Sequence, residues 1–191
     1  MQTKPMICAR FAAVAALLCV SQSGWAQAPQ SRSVEEYGLA ATFPAGARVC
    51  EALTGGSHLH GWAMPIYGDC EQMRRRITIW ADWNAGFRRS PEDALFCSLE
   101  DRGSLVTGAR LRLAFPRRRS ATCRHDEPDG RILVEVMTQA WRWPDWRTAT
   151  DPDSRAPLVN YSAILRTTPA TLDADLRAFR RVLASVRLTK P

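Results

Sequence analysis

His58-Leu59-His60 is the stretch of this sequence whose residue types come nearest to a metal site. Two imidazoles at i and i+2 on an extended segment point the same way and can share one ion, with Asp69 or His125 completing the set. The same spacing also suits two histidines on one face of a strand or loop, packed against Trp62. With no defined third ligand, metal binding at His58 and His60 stands as the alternative reading rather than the leading one. Carboxylates gather at Asp126, Glu127 and Asp129, but they crowd a turn between Arg124 and Arg131, where solvated turn chemistry accounts for them. Asp151-Pro152-Asp153 is likewise a loop pattern with little of a calcium loop's ligand spacing. The sequence has no G-x-S-x-G elbow, no phosphate-binding Gly loop and no H-E-x-x-H. No catalytic residue and no cofactor are expected, and the leading reading is a non-enzymatic binding or interaction protein.

Its contact chemistry would come from arginine and tryptophan. Lys4 and Lys190 are the only lysines, so arginine carries nearly all of the positive charge in a chain of net +7. Arg74-Arg75-Arg76, Arg88-Arg89 and Arg117-Arg118-Arg119 cluster at expected loops or strand ends. Guanidinium forks bind carboxylate and phosphate bidentately, so these clusters suit an acidic envelope protein, a lipid headgroup or an anionic glycan. A solvated basic face is the bland account of the same residues. Trp141-Arg142-Trp143-Pro144-Asp145-Trp146-Arg147 is the densest aromatic segment, and Trp and Arg are the residue types enriched at interface hot spots. Trp141, Arg142, Trp143, Trp146 and Arg147 are therefore the candidate binding surface. An edge-of-core cluster with arginine stacked on indole is the competing account.

The compartment follows from the amino terminus. Lys4 and Arg10 form a positive region with no acidic residue, and Phe11 to Val20 is an apolar core too short to span a bilayer. Ala26-Gln27-Ala28 is the small-x-small pattern of a signal peptidase site, so residues 1–28 are expected to be a signal peptide cleaved after Ala28. The mature chain is then expected to be periplasmic or secreted, without a membrane span, and nucleic acid is disfavoured as its partner. Losing Lys4 and Arg10 lowers the net charge from +7 to +5. Cys8 and Cys19 leave with the signal. Cys50, Cys70, Cys97 and Cys123 remain, an even count that suggests two disulfides in an exported chain. Of three possible connectivities, Cys50–Cys70 and Cys97–Cys123 are favoured: the first closes a Gly-rich loop, and the second ties a helix to the sheet after it. An inhibitor or immunity-type role against an envelope-acting partner fits this size and compartment.

Periodicity supplies the elements that must position these groups. Residues 29–36 read as a flexible polar leader and 37–191 as one disulfide-stabilised domain. Tyr37 to Phe43 reads as a first strand and Ala52 to Gly68 as a Gly-rich loop. Arg76 to Trp83 alternates, with Ile77, Ile79, Ala81 and Trp83 on one face. Ser90-Pro91-Glu92-Asp93 is a helix start, and Leu95, Phe96 and Leu99 form that helix's apolar stripe. Ala109 to Phe115, Ser120 to His125, Arg131 to Trp143 and Leu158 to Thr167 read as strands, with a hairpin turn at Glu127-Pro128-Asp129-Gly130. Leu172, Leu176, Phe179 and Leu183 mark a final helix starting at Thr168-Pro169, and Val186 to Leu188 a short terminal strand. The sum is an α+β domain: a mostly antiparallel sheet with a mid-chain helix and a C-terminal helix packed on it.

Tyr37-Gly38-Leu39 running into Phe43-Pro44, with a closing strand, helix and Leu183-Ala-Ser-Val-Arg-Leu188, resembles the layout of PsbP-like α/β sandwich domains. That resemblance covers the two ends and the order of elements. It implies a helix packed on an antiparallel sheet, and a binding or assembly role rather than catalysis. The central cysteines and the Trp-rich segment are not part of it.

Overall fold

Arg75 to Trp83 alternates, with Ile77, Ile79 and Ala81 buried on one face and Trp80 half-buried on the other, and the larger sheet described is built around it. The computed structural model describes residues 28–51, 60–84, 88–95, 104–105, 111–115, 118–141 and 158–189. Within them the elements run β1 (Gln30–Val34), β2 (Leu39–Phe43), β3 (Cys50–Glu51), β4 (His60–Tyr67), β5 (Arg75–Trp83), α1 (Pro91–Ala94), β6 (Ser104–Leu105), β7 (Ser120–Asp126), β8 (Ile132–Trp141), β9 (Leu158–Thr167), α2 (Leu172–Ser185) and β10 (Arg187–Leu188). The larger sheet has the order β3-β4-β5-β9-β8-β7-β6, and a three-stranded sheet has the order β1-β2-β10. Every pairing described is antiparallel. The class is α+β.

The inner face of the larger sheet carries the larger apolar cluster, while Leu95 covers a smaller one of Ala121, Leu133 and Met137 on the outer face. Trp62 and Met64 of β4, Ile77, Ile79 and Ala81 of β5, Tyr161, Ala163 and Leu165 of β9, and Val134 and Val136 of β8 are buried in the larger cluster. Phe179, Val182 and Leu183 of α2 and Leu39, Ala41 and Phe43 of β2 close over them. Two polar ties hold this lid. Tyr161 Oη donates to the buried carbonyl of Tyr37 at 2.6 Å, and Ser185 Oγ donates to Thr42 O at 2.8 Å while accepting from Thr42 N at 3.1 Å.

A third tie is ionic. Arg75 Nε and Nη2 grip the two carboxylate oxygens of Asp175 at 3.0 and 2.6 Å. Thr171 Oγ1 donates to the same carboxylate at 3.0 Å, and Thr167 Oγ1 donates to it as well. Asp175 keeps 2 % of its side-chain surface exposed and Arg75 26 %. Burial alone would raise the Asp175 pKa, but the hydrogen bonds from Arg75, Thr167 and Thr171 and the charge of Arg75 outweigh it and hold it below the ordinary value.

Several elements differ from the expectation. Gln30–Val34, in the stretch read as leader, pairs with β2 along its whole length, because its exposed Ser31, Arg32 and Ser33 need no core to form backbone hydrogen bonds. His60–Tyr67, read as loop on account of Gly61, Pro65 and Gly68, is a strand against β5. Gly61 is there because β5 passes too close for a side chain: a Cβ would meet Ile79 O and lie 2.6 Å from Trp80 Cα. Pro65 sits where the register shifts in a bulge before Tyr67. Leu111, Leu113 and Phe115 point inward and Arg112 outward as alternation requires, yet Leu111 to Phe115 makes no ladder. Helix α1 begins as expected, Ser90 Oγ accepting from Asp93 N at 3.2 Å, but it ends at Ala94 with Leu95 extended. Phe96 and Leu99 lie outside the described residues, as do residues 1–27 of the expected signal. Among the described residues, no helix is long and apolar enough to cross a membrane.

Cys50 and Cys70 are joined as expected, tying β3 to the loop between β4 and β5. Cys123 is in a disulfide as well; its expected partner, Cys97, lies outside the described residues.

Two tests follow from these contacts. Gly61→Ala is expected to lower unfolding free energy by about 2 kcal/mol or more, through overlap with the β5 backbone; urea denaturation reads it. Asp175→Asn is expected to cost about 2–4 kcal/mol at neutral pH, toward the lower end because Arg75 keeps contact with water. A carboxylate whose folded pKa is depressed contributes stability above its unfolded pKa of about 3.9 and loses it as pH falls through the folded value. The gap between wild type and Asp175→Asn in denaturation curves should therefore close in that acid window and stay constant from pH 5 to 7.

Candidate anion-binding site

At the end of the sheet where β5 starts and β9 finishes, the two strands set arginines side by side. Arg76 lies directly opposite Arg166, and Arg166 opposite Leu133 of β8. Their chain neighbours Ile77 and Leu165 point into the core, so these arginines stand on the outer face. The turn from β7 to β8 folds against them, closed by Glu127 N to Arg131 O at 2.7 Å and Gly130 N to Glu127 O at 2.9 Å. Gly130 takes φ 79°, the left-handed conformation glycine adopts without strain.

That turn brings one shared carboxylate. Glu127 Oε1 is 3.2 Å from Arg166 Nη2, and Glu127 Oε2 is 3.2 Å from Arg131 Nε. Asp129 Oδ2 lies 2.7 Å from Arg131 Nε, and this ion pair holds the Asp129 carboxyl below its ordinary pKa. The angles at Glu127 are poor: its Oε2 and the Nε atoms of Arg131 and Arg166 are buried without a hydrogen-bond partner. Among the described residues, no carboxylate pairs with Arg76. Its Nη1 donates to Met73 O at 3.0 Å. Burial, then the charges of Arg166 and Arg131, depress its pKa, with Glu127 pulling the other way. Like charges directly opposite on one sheet face are destabilising. Three guanidiniums against Glu127 and Asp129 leave an excess of one positive charge, and Arg166 and Arg131 keep 25 % and 29 % of their side chains open to solvent.

The residues singled out by sequence are spread more widely. His60 is on the inner face of β4, its ring 4.9 Å from that of Tyr37, while His58 lies outside the described residues. The Tyr37 hydroxyl is pushed up to about 12 by burial, then by Glu36 and Asp82. Asp69 Oδ1 accepts from the amides of Glu71 and Gln72, both at 3.0 Å, and so shapes its own loop. His125 is on the outer face of β7, opposite Leu133. Among the described residues, no group of three or more His, Cys, Asp or Glu is placed to hold a metal ion. The Trp141 backbone ends β8 opposite Leu158, roughly 30 Å along the strand from Ile132. The arginine cluster and the start of the Trp/Arg segment thus stand at opposite ends of the sheet. Arg142, Trp143, Trp146 and Arg147 lie outside the described residues.

The triplet Arg74-Arg75-Arg76 is split by the strand: Arg74 is exposed, Arg75 turns inward to Asp175 and Arg76 outward to Arg166. Arg88 serves the fold through its backbone, which exchanges hydrogen bonds with the buried Asn84 side chain at 3.0 and 2.8 Å. Arg119 pairs with Glu92. Sequence reasoning missed Arg166, which belongs to no cluster along the chain, and Glu135, wholly buried and accepting from Ser162 Oγ at 2.6 Å. A lone acid inside the apolar run of β8 was the available signal for the second.

No protein-family model matches the chain, and no curated protein matches it in sequence. Among solved structures, that of cyanobacterial PsbP (CyanoP) from Synechocystis sp. PCC 6803 superposes with a TM-score of 0.52, over 90 % of this chain and 98 % of that one. The chain has the PsbP-like fold. At 13 % identity the likeness is one of fold alone. It agrees with the resemblance drawn from the chain's two ends, and it leaves the arginine cluster to be judged on its own geometry.

The two neighbours in the triplet should respond oppositely to the same change. Arg75→Gln strips a buried carboxylate of its partner and is expected to cost about 2–4 kcal/mol. Arg76→Gln removes a like-charge contact and should leave stability unchanged or raise it by up to about 1 kcal/mol. Denaturation of both variants in low-salt buffer checks the contrast.

Proposed function

We propose that this protein is an exported, non-enzymatic binding protein of the cell envelope that holds an anionic partner through Arg76, Arg131 and Arg166. One observation carries the reading: among the described residues, Arg76 sits beside Arg166 with a backbone carbonyl as its one bonded partner, in a cluster whose single shared carboxylate serves two other arginines. A protein gains nothing in stability from that arrangement, whereas an incoming anion would be gripped by it. Export is supported by the charged, apolar and small-x-small segments of residues 1–28 and by the Cys50–Cys70 disulfide, which persists in an oxidising compartment. An inhibitor or immunity-type role is a finer form of the same reading, with the acidic surface belonging to the protein restrained.

The test is retention of the purified protein on an immobilised polyanion, read as the salt concentration that elutes it. Arg76→Gln/Arg166→Gln is expected to elute at clearly lower salt than Arg118→Gln/Arg119→Gln, which removes the same charge from another exposed site. Equal elution of the two double variants would mean a diffuse basic surface and would end the proposal.

A further inference from the structure

The anionic group itself can be named more closely, on the footing of the binding role just proposed. We infer that the Arg76–Arg166 pair is a seat for one phosphate-type oxyanion, with Arg131 completing its positive field. Directly opposite residues of antiparallel strands have Cβ atoms about 5 Å apart. Two guanidiniums leaving the sheet from that base are spaced to approach one tetrahedral group from two sides. A planar carboxylate offers two oxygens in one plane, which one guanidinium fork takes up whole, as Arg75 does with Asp175. A phosphate offers three or four oxygens in three dimensions and can serve both forks at once.

The surroundings favour that occupant. Glu127 already spans Arg131 and Arg166, and its Oε2 and both of their Nε atoms lack a hydrogen-bond partner. Those buried Nε atoms do not face a ligand, but Arg166 and Arg131 keep 25 % and 29 % of their side chains open to solvent, and an anion meets them there. Arg76 has one bond to Met73 O, which fixes the side chain from behind without lowering its charge. Leu133 and Pro65 flank the pair in the same cross-strand row, giving low-dielectric shoulders that strengthen a charge-assisted bond between them. Met73 O and the bulge at Pro65 further restrict how Arg76 leaves the sheet, so the donors are partly ordered before any ligand arrives.

Two sources present this chemistry: free inorganic phosphate and the headgroup of an anionic phospholipid. Calorimetric titration of the full purified protein with inorganic phosphate, and flotation with phosphatidylcholine vesicles with or without phosphatidylglycerol, separate them. Either saturable phosphate binding or phosphatidylglycerol-dependent flotation supports the seat, provided Arg76→Gln and Arg166→Gln each weaken it about tenfold or more and Arg32→Gln on β1 does not. Phosphate should also raise the melting temperature of wild type and of Arg32→Gln but not of Arg76→Gln. That readout separates a lost ligand from a damaged fold. Acetate or succinate binding as tightly as phosphate, or equal loss in Arg32→Gln, would overturn the inference. So would an absence of both phosphate and vesicle binding. If the polyanion column still discriminated the arginine variants in that case, anion binding would survive and only its phosphate character would fall.

Discussion

The pairing of β5 with β9 sets where almost every other group in the molecule can go. Ile77 faces Leu165 and Ile79 faces Ala163, and both pairs point at α2 and β2. A slip of β5 by one residue would carry Arg76 into the core and turn Ile77 away from it, and a slip of β9 would do the same to Arg166 and Leu165. The register is therefore held by the cost of burying guanidiniums as much as by the gain from burying isoleucine and leucine. Just before β5's alternating apolar run, Arg75 turns back over the inner face and meets Asp175, so the strand that starts the core also anchors the helix that covers it.

The two arginine sites that result show what surroundings do to one side-chain chemistry. Arg75 finds a carboxylate that also accepts from two threonines, a fully bonded ion pair that costs a great deal to break and little to keep. Arg76, next along the chain, emerges on the other face and meets a second arginine. No packing argument rewards that contact, since an uncharged side chain at either position would fold at least as well. Structures depart from local preference in this way mostly where a site has another use. The PsbP-like architecture supplies a stiff sheet on which such a departure can be held in place.

Legibility along the sequence followed the strength of the local signal. Leu158 to Thr167 is a strand over the range its alternation indicates, and the stripe of α2 was visible at Leu172, Leu176, Phe179 and Leu183, with Val182 and Asp175 added by packing. Glycine and proline misled in β4, where Gly61 marks a close crossing and Pro65 a bulge, because both residues report a backbone constraint without saying whether it is a turn. The reverse held from Leu111 to Phe115, where alternation predicted burial correctly but not the absence of a strand ladder among the described residues. For the candidate site the sequence displayed a triplet of arginines and a turn of acids, yet not which members would meet.

From the sequence alone came the α+β class and a preference for the Cys50–Cys70 link among three connectivities, because each rests on residues close together along the chain. Hydrophobic period and disulfide chemistry act over short distances and leave a local record. Only tertiary structure decided that Arg75 would be spent on a carboxylate 100 residues away and that Arg76 would face Arg166. Cross-strand neighbours are chosen by register, register is chosen by the summed burial of whole strands, and that sum has no signature at any single arginine. The candidate metal pair illustrates the same limit from the other side: His60 was legible as chemistry, and the fold sets its ring beside that of Tyr37.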